Sequence, residues 1–144
     1  MSNPRETAYN KAIKLLKIRP HHSEELSRKL LMRGFDREIV VAVTEKLVRE
    51  NLIDNESFAQ NYLDELIRNK SFGFYGLKAK LMQKGIPAAD AEKLLQENLS
   101  VEVEKQIALR VVERAQDMDK VKLMQKLSRK GFRSEVISQV IRNK

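Results

Sequence analysis

Cysteine is absent from this 144-residue chain. Its absence excludes disulfides, zinc–thiolate sites and thiol catalysis. Glycine and proline are scarce, at 5 and 3 residues, which suits long helices better than many short strands. No apolar run approaches the ~20 residues of a membrane span, and no signal-peptide core is evident, so the cytoplasm is the expected address. Catalytic groups are equally sparse. The two histidines, His21 and His22, are adjacent, so their side chains diverge rather than share a metal, and a solvated loop is expected there. No phosphate-binding loop or activated nucleophile is present. The chain is read as no enzyme, with no metal and no cofactor.

What the chain does have is charge, apolar side chains and a repeat. Charged residues make up 33% and hydrophobic ones 42%, and the net charge is +8. Residues 1–50 carry 11 basic and 7 acidic groups, 51–99 carry 6 and 7, and 100–144 carry 11 and 6. Basic ends around a near-neutral middle favour an anionic partner, a nucleic acid or an acidic protein groove.

One phrase occurs three times: Leu26-x-x-Lys29-Leu30-x-x-Arg33-Gly34-Phe35, Leu77-x-x-Lys80-Leu81-x-x-Lys84-Gly85-Ile86 and Leu123-x-x-Lys126-Leu127-x-x-Lys130-Gly131-Phe132. The glycines lie 51 and 46 residues apart, a period that marks a helical repeat array. Leucines at i and i+4 share one helical face. Each glycine then stands where a left-handed residue ends a helix, followed by the hydrophobe that packs back on the last turn.

Apolar stripes fill in the rest. Ala8, Tyr9, Ala12, Ile13 and Leu16 make one helix, and Ile39, Val40, Val43 and Leu47 another. Phe58, Tyr62, Leu63, Leu66 and Ile67 make a third; Ala91, Leu94 and Leu95, then Ile107, Val111 and Val112, and finally Val136, Ile137, Val140 and Ile141 follow. Ser23, Asp36, Asp54 and Ser100 are expected N-caps. Pro20 ends the first helix, Pro87 opens the sixth, and Glu104 favours the positive end of the seventh. The expected fold is all-α: three tandem three-helix repeats, 1–50, 51–99 and 100–144, with helix-turn-helix-like units in an elongated, curved, monomeric array.

Each phrase helix also carries a basic pair four residues apart, Lys29/Arg33, Lys80/Lys84 and Lys126/Lys130, on one flank of its leucines. Either this is a solvated flank with cations suitably placed at helix C-termini, or it is a stripe that grips a repeating anionic surface. The flank is expected to stay wet. The break Ser71-Phe72-Gly73-Phe74-Tyr75-Gly76 either tucks Phe72 or Phe74 into the core or presents Phe74 and Tyr75 to a partner. The helix after each glycine turn is too apolar to lie free in a DNA groove, against base reading.

The block Leu52-Ile53-Asp54-Asn55-Glu56-Ser57-Phe58-Ala59-Gln60-Asn61-Tyr62, with Gly73 and Leu81-x-x-Lys84-Gly85-Ile86, resembles the central signature of the RecX family of recombinase regulators. The likeness runs from about Ala8 to Ile141. It implies tandem three-helix repeats that bind the RecA filament along its groove and limit its ATPase, strand-exchange and coprotease activities. It also implies a role in homologous recombination, DNA repair and the SOS response, with direct DNA contact in some members. Asp54, Phe58, Ala59, Gly85 and Ile86 match as structural positions, and the family supplies no catalytic residue. The short N-terminal lead and the Phe74-Tyr75 pair depart from its pattern. The alternative is a helical DNA- or RNA-binding protein without a recombinase partner.

Overall fold

In a computed structural model that describes residues 3–142, the chain forms nine helices and, among the described residues, no strand. They are α1 (Pro4–Ile18), α2 (Ser23–Met32), α3 (Arg37–Arg49), α4 (Asn55–Asn69), α5 (Phe74–Gln83), α6 (Ala88–Asn98), α7 (Val101–Arg114), α8 (Lys120–Arg129) and α9 (Ser134–Arg142). The repeat phrases are α2, α5 and α8. Each ends on a left-handed glycine, with φ 91° at Gly34, 97° at Gly85 and 85° at Gly131. At the first stop, Phe35 N–H donates to Leu30 O (3.3 Å) and Gly34 N–H to Leu31 O (3.0 Å). At the last, Phe132 N–H donates to Leu127 O (3.2 Å) and Gly131 N–H to Ser128 O (3.0 Å). Both are complete Schellman pairs. A further stop of this kind uses no glycine: Asn51, at φ 60°, ends α3 while Leu52 N–H donates to Leu47 O at 2.9 Å.

Three local expectations are corrected. His22, not Ser23, caps α2, because its ring nitrogen accepts from Glu24 N–H. Pro87 is the cap of α6 rather than its first helical residue. Finally, α5 begins at Phe74, so half of the expected break is a helical first turn. Asp54 and Ser100 act as expected, accepting from Ser57 N–H and Val103 N–H.

The residues up to Ala59, with Lys84–Ile86, form one compact unit; Gln60–Gln83, with the residues from Pro87 on, form a second. In the first, α1, α2 and α3 pack pairwise around Ala8, Ala12, Leu26, Leu30, Val40, Val43 and Leu47, with Phe35 set against them. In the second, α7, α8 and α9 pack pairwise and α5 packs on α6. All six leucines of the phrases are fully buried. Each such leucine contributes about 1.5–3 kcal/mol of transfer free energy, which anchors the phrase helices.

Candidate partner surface around the glycine stops

Within the first unit, the stop Lys84–Ile86 lies against the first turn of α2. The first carbon of a side chain at Gly85 would fall 2.6 Å from Glu25 N and 3.2 Å from Glu24 Cβ. That turn is held from two sides. Asn55 accepts from Ser23 N–H (2.9 Å) and donates to Ser23 Oγ (2.8 Å), and the His22 ring meets Phe58 edge-on at 6.4 Å. Beneath it lies a charged cluster in which Arg19 donates twice to the Glu25 carboxylate, at 3.0 and 2.7 Å.

His21 and His22 are buried, 3% and 6% exposed, which overturns the solvated-loop expectation. Lys29 Nζ stands 2.8 Å from His21 Nε2, and His21 Nδ1 lies 2.9 Å from Arg19 O. An ammonium only donates, so Nε2 accepts, Nδ1 carries the proton and the ring is neutral. Burial lowers the His21 pKa, opposed by the bond to Arg19 O and helped by the charges of Lys29 and Arg19. Burial also lowers Lys29, followed by the charge of Arg19, with Lys84 and Arg33 adding to it. Burial pushes the Glu25 carboxyl up, but the hydrogen bonds and charge of Arg19 outweigh it and hold the group below its ordinary value.

Within the second unit, the stop Lys130–Phe132 lies against the first turn of α5 in the same way. Gly73 N–H donates to Lys130 O (3.0 Å) and Tyr75 N–H to Gly131 O (2.8 Å). The approach is so close that side chains at Gly73, Gly76 or Gly131 would collide with the Phe132, Lys130 and Gly76 backbones respectively. Those glycines are there for contact. Glu104, fully buried on α7, locks the joint: its carboxylate accepts from Phe74 N–H (3.0 Å), Arg133 N–H (2.9 Å) and Arg133 Nε. The Arg133 guanidinium also lies 4.7 Å from the Phe74 ring centre.

The lysines follow the joints rather than the helices. His21 and Phe72 each stand five residues before the first leucine of a phrase. His21 meets Lys29, and Phe72 meets the equivalent Lys80 at 5.3 Å. The second lysine of the following phrase arrives at the same place: Lys84 bears on Lys29, and Lys130 lies 5.5 Å from the Phe72 ring. The cations therefore also meet across the joints, Lys84 with Lys29 and Lys130 with Lys80, and Lys29 feels Arg33 of its own helix as well. Contrary to the expected wet flank, Lys29, Lys80, Lys84, Lys126 and Lys130 are half-buried, and of the six only Arg33 is exposed. Phe74 is 5% exposed and packs inward, as the tucked alternative expected, while Tyr75, 59% exposed, faces solvent. Glu104, His21 and Asn55 were not singled out as functional by sequence, since their partners lie in distant segments.

The geometry has close counterparts. A family profile described as RecX, first three-helix domain, matches residues 8–47. The regulatory protein RecX of Prosthecochloris aestuarii is 36% identical over 137 residues, 93% of this chain and 91% of that one. That of Chlorobium limicola is 34% identical over 136 residues, 90% of this chain and 84% of the other. The crystal structure of RecX from Lactobacillus salivarius shares the fold at a TM-score of 0.84, with 21% identity over 99% of this chain and 97% of that one. With this identity along nearly its whole length, the chain belongs to the RecX family of regulatory proteins.

Proposed function

We propose that this chain is a non-enzymatic modulator of the RecA recombinase, which lies along the groove of the RecA–DNA filament and limits its ATPase, strand-exchange and coprotease activities. It works in the cytoplasm as three repeats, 1–50, 51–99 and 100–144, and among the described residues no helix could cross a membrane. The observation that supports this reading is the lysine couple at the Gly85 and Gly131 stops. Among the described residues no carboxylate pairs with Lys80 or Lys130, and burial already disfavours the charge on Lys29. An incoming carboxylate or phosphate relieves that crowding through charge-assisted hydrogen bonds. Two equivalent couples on one chain suit a partner whose acidic groups also repeat.

The test reverses one couple, Lys80→Glu with Lys130→Glu, and leaves Lys29 alone because it is bound to His21. The folded variant should need at least ~10-fold more protein for half-inhibition of strand exchange, since losing ~1.4 kcal/mol of contact energy weakens binding tenfold. Added salt should mimic the change, because exposed charges are screened over ~8 Å at physiological ionic strength. Unaltered inhibition by the folded variant overturns the lysine couple as the contact. Capture of nucleic acid but no recombinase, from extract with and without nuclease, favours the nucleic-acid-binding alternative.

A further inference from the structure

Two of the three glycine stops are occupied and one is open. Gly85 meets the first turn of α2, and Gly131 meets the first turn of α5, but among the described residues nothing lies within 4 Å of where a side chain at Gly34 would begin. The receiving side shows the complementary vacancy. Lys120, Val121 and Lys122, the first turn of α8, are all exposed, Val121 at 64%. We propose that the Gly34 stop docks on the first turn of α8 in a second copy of this chain, repeating between molecules the joint that each molecule makes twice within itself.

Three observations carry this. The first is the backbone. The first turn of α8 is built like that of α2: the Asp119 side chain accepts from Lys122 N–H at 2.9 Å, as the His22 ring accepts from Glu24 N–H at 3.0 Å. Neither turn contains a glycine, and the α2 turn receives a stop without one.

The second is the cations. In the internal joints the second cation of one phrase reaches the first of the phrase before it, Lys84 to Lys29 and Lys130 to Lys80. By position, Arg33 of the first phrase and Lys126 of the last are the two members of one more such joint. Met118 stands where His21 and Phe72 stand in the internal joints, and Asp117 and Asp119 flank it in sequence. The arriving Arg33 would therefore meet carboxylates.

The third is uncovered apolar surface. Val121 occupies the position of Glu24 and Tyr75, both of which approach the docked glycine in the internal joints. The open stop carries Met32 beside Arg33, and Met32 is 87% exposed. An exposed valine and methionine on the two faces are what the contact would bury.

Because the two faces differ, the contact is heterologous and open-ended rather than a closed two-fold dimer. The sequence led us to expect a monomer, and a single small joint gives weak association. The chain's lack of cysteine supplies the test. Arg33→Cys and Val121→Cys proteins are mixed and treated with a short bis-maleimide cross-linker. Cross-linked dimer should form several-fold more in the mixture than in either variant alone, and equal yields overturn the proposal. For the wild-type chain, the sedimentation-average mass should climb steadily between ~10 μM and ~1 mM, the range of weak association. Val121→Asp, on an exposed position, should melt as wild type and abolish the climb. A constant monomer mass, or a plateau at dimer, also overturns the proposal. Neither measurement contains recombinase or nucleic acid, so failure here leaves the proposed function standing.

Discussion

The α2 joint and the α5 joint have the same backbone plan and opposite chemistry. At α2 the arriving glycine rests on a turn with full side chains, and the space below is filled by the Arg19–Glu25 ion pair with His21 and Lys29. At α5 three glycines strip the contact down to backbone on backbone, with two amide–carbonyl bonds across it. The place of His21 is taken by Phe72, a ring with no proton to gain or lose. The first helix of the following triplet pins each turn, with the neutral Asn55 at α2 and the buried, charged Glu104 at α5. The difference teaches that the repeat specifies where the stop lands, while the local residues decide how tightly, and under which conditions, it stays.

The strongest way to break this comparison is through the glycines. Gly131→Val should destabilise the second unit by ~3 kcal/mol or more, because left-handed strain adds to overpacking against Gly76. Gly34→Val, with open space around it, should show the strain alone, ~1–2 kcal/mol. Denaturant melts reading equal losses would mean that the α5 joint contributes nothing.

Next come the pins. Glu104→Gln leaves the Arg133 guanidinium without its buried counter-charge and should cost ~3 kcal/mol, whereas Asn55→Ala removes neutral hydrogen bonds and should cost ~1 kcal/mol. Melting the two variants side by side checks the order, and reversed losses would refute the account of the pins.

The smallest effect is the pH response. The folded-state pKa of His21 lies below its ordinary value of 6.5, chiefly through burial. Its contribution to stability is therefore present above 6.5 and is lost as pH falls through the folded value. Protonation would also set an N–H against the Lys29 ammonium. Amide protection factors, which correct for the slower intrinsic exchange in acid, should fall around α2 but not around α5 on going from pH ~7 to ~5. His21→Phe, which installs the arrangement found at Phe72, should remove that share of the response; an unchanged response would place its origin elsewhere.

The sequence exposes these features unevenly, for physical reasons. The glycine stops and phrase leucines are legible because a Schellman turn is decided within six residues, and an i, i+4 leucine pair needs only its own helix. The stop at Asn51 is hidden because asparagine also serves as a cap and a turn residue. Glu104 reads as a first-turn acid favoured by the helix dipole, yet its three donors come from Phe74 and Arg133, some 30 residues away on either side. The lysines are visible at the right positions, but their coupling is not. Lys80 joins Lys130 rather than Lys84 at Phe72 because a stop from the next phrase lands there, a non-local event that no window of sequence contains.

The joints also impose an order in time. The glycine that completes the first turn of α2 is made 60 residues after Glu25, and the one that completes α5 is made 55 residues after Gly76. At ~5–20 residues per second, a growing chain holds each first turn open for roughly 3–12 seconds. The first two phrase helices are thus each finished by the next, and a ribosome paused between them holds out a nascent chain whose newest phrase helix is unsealed.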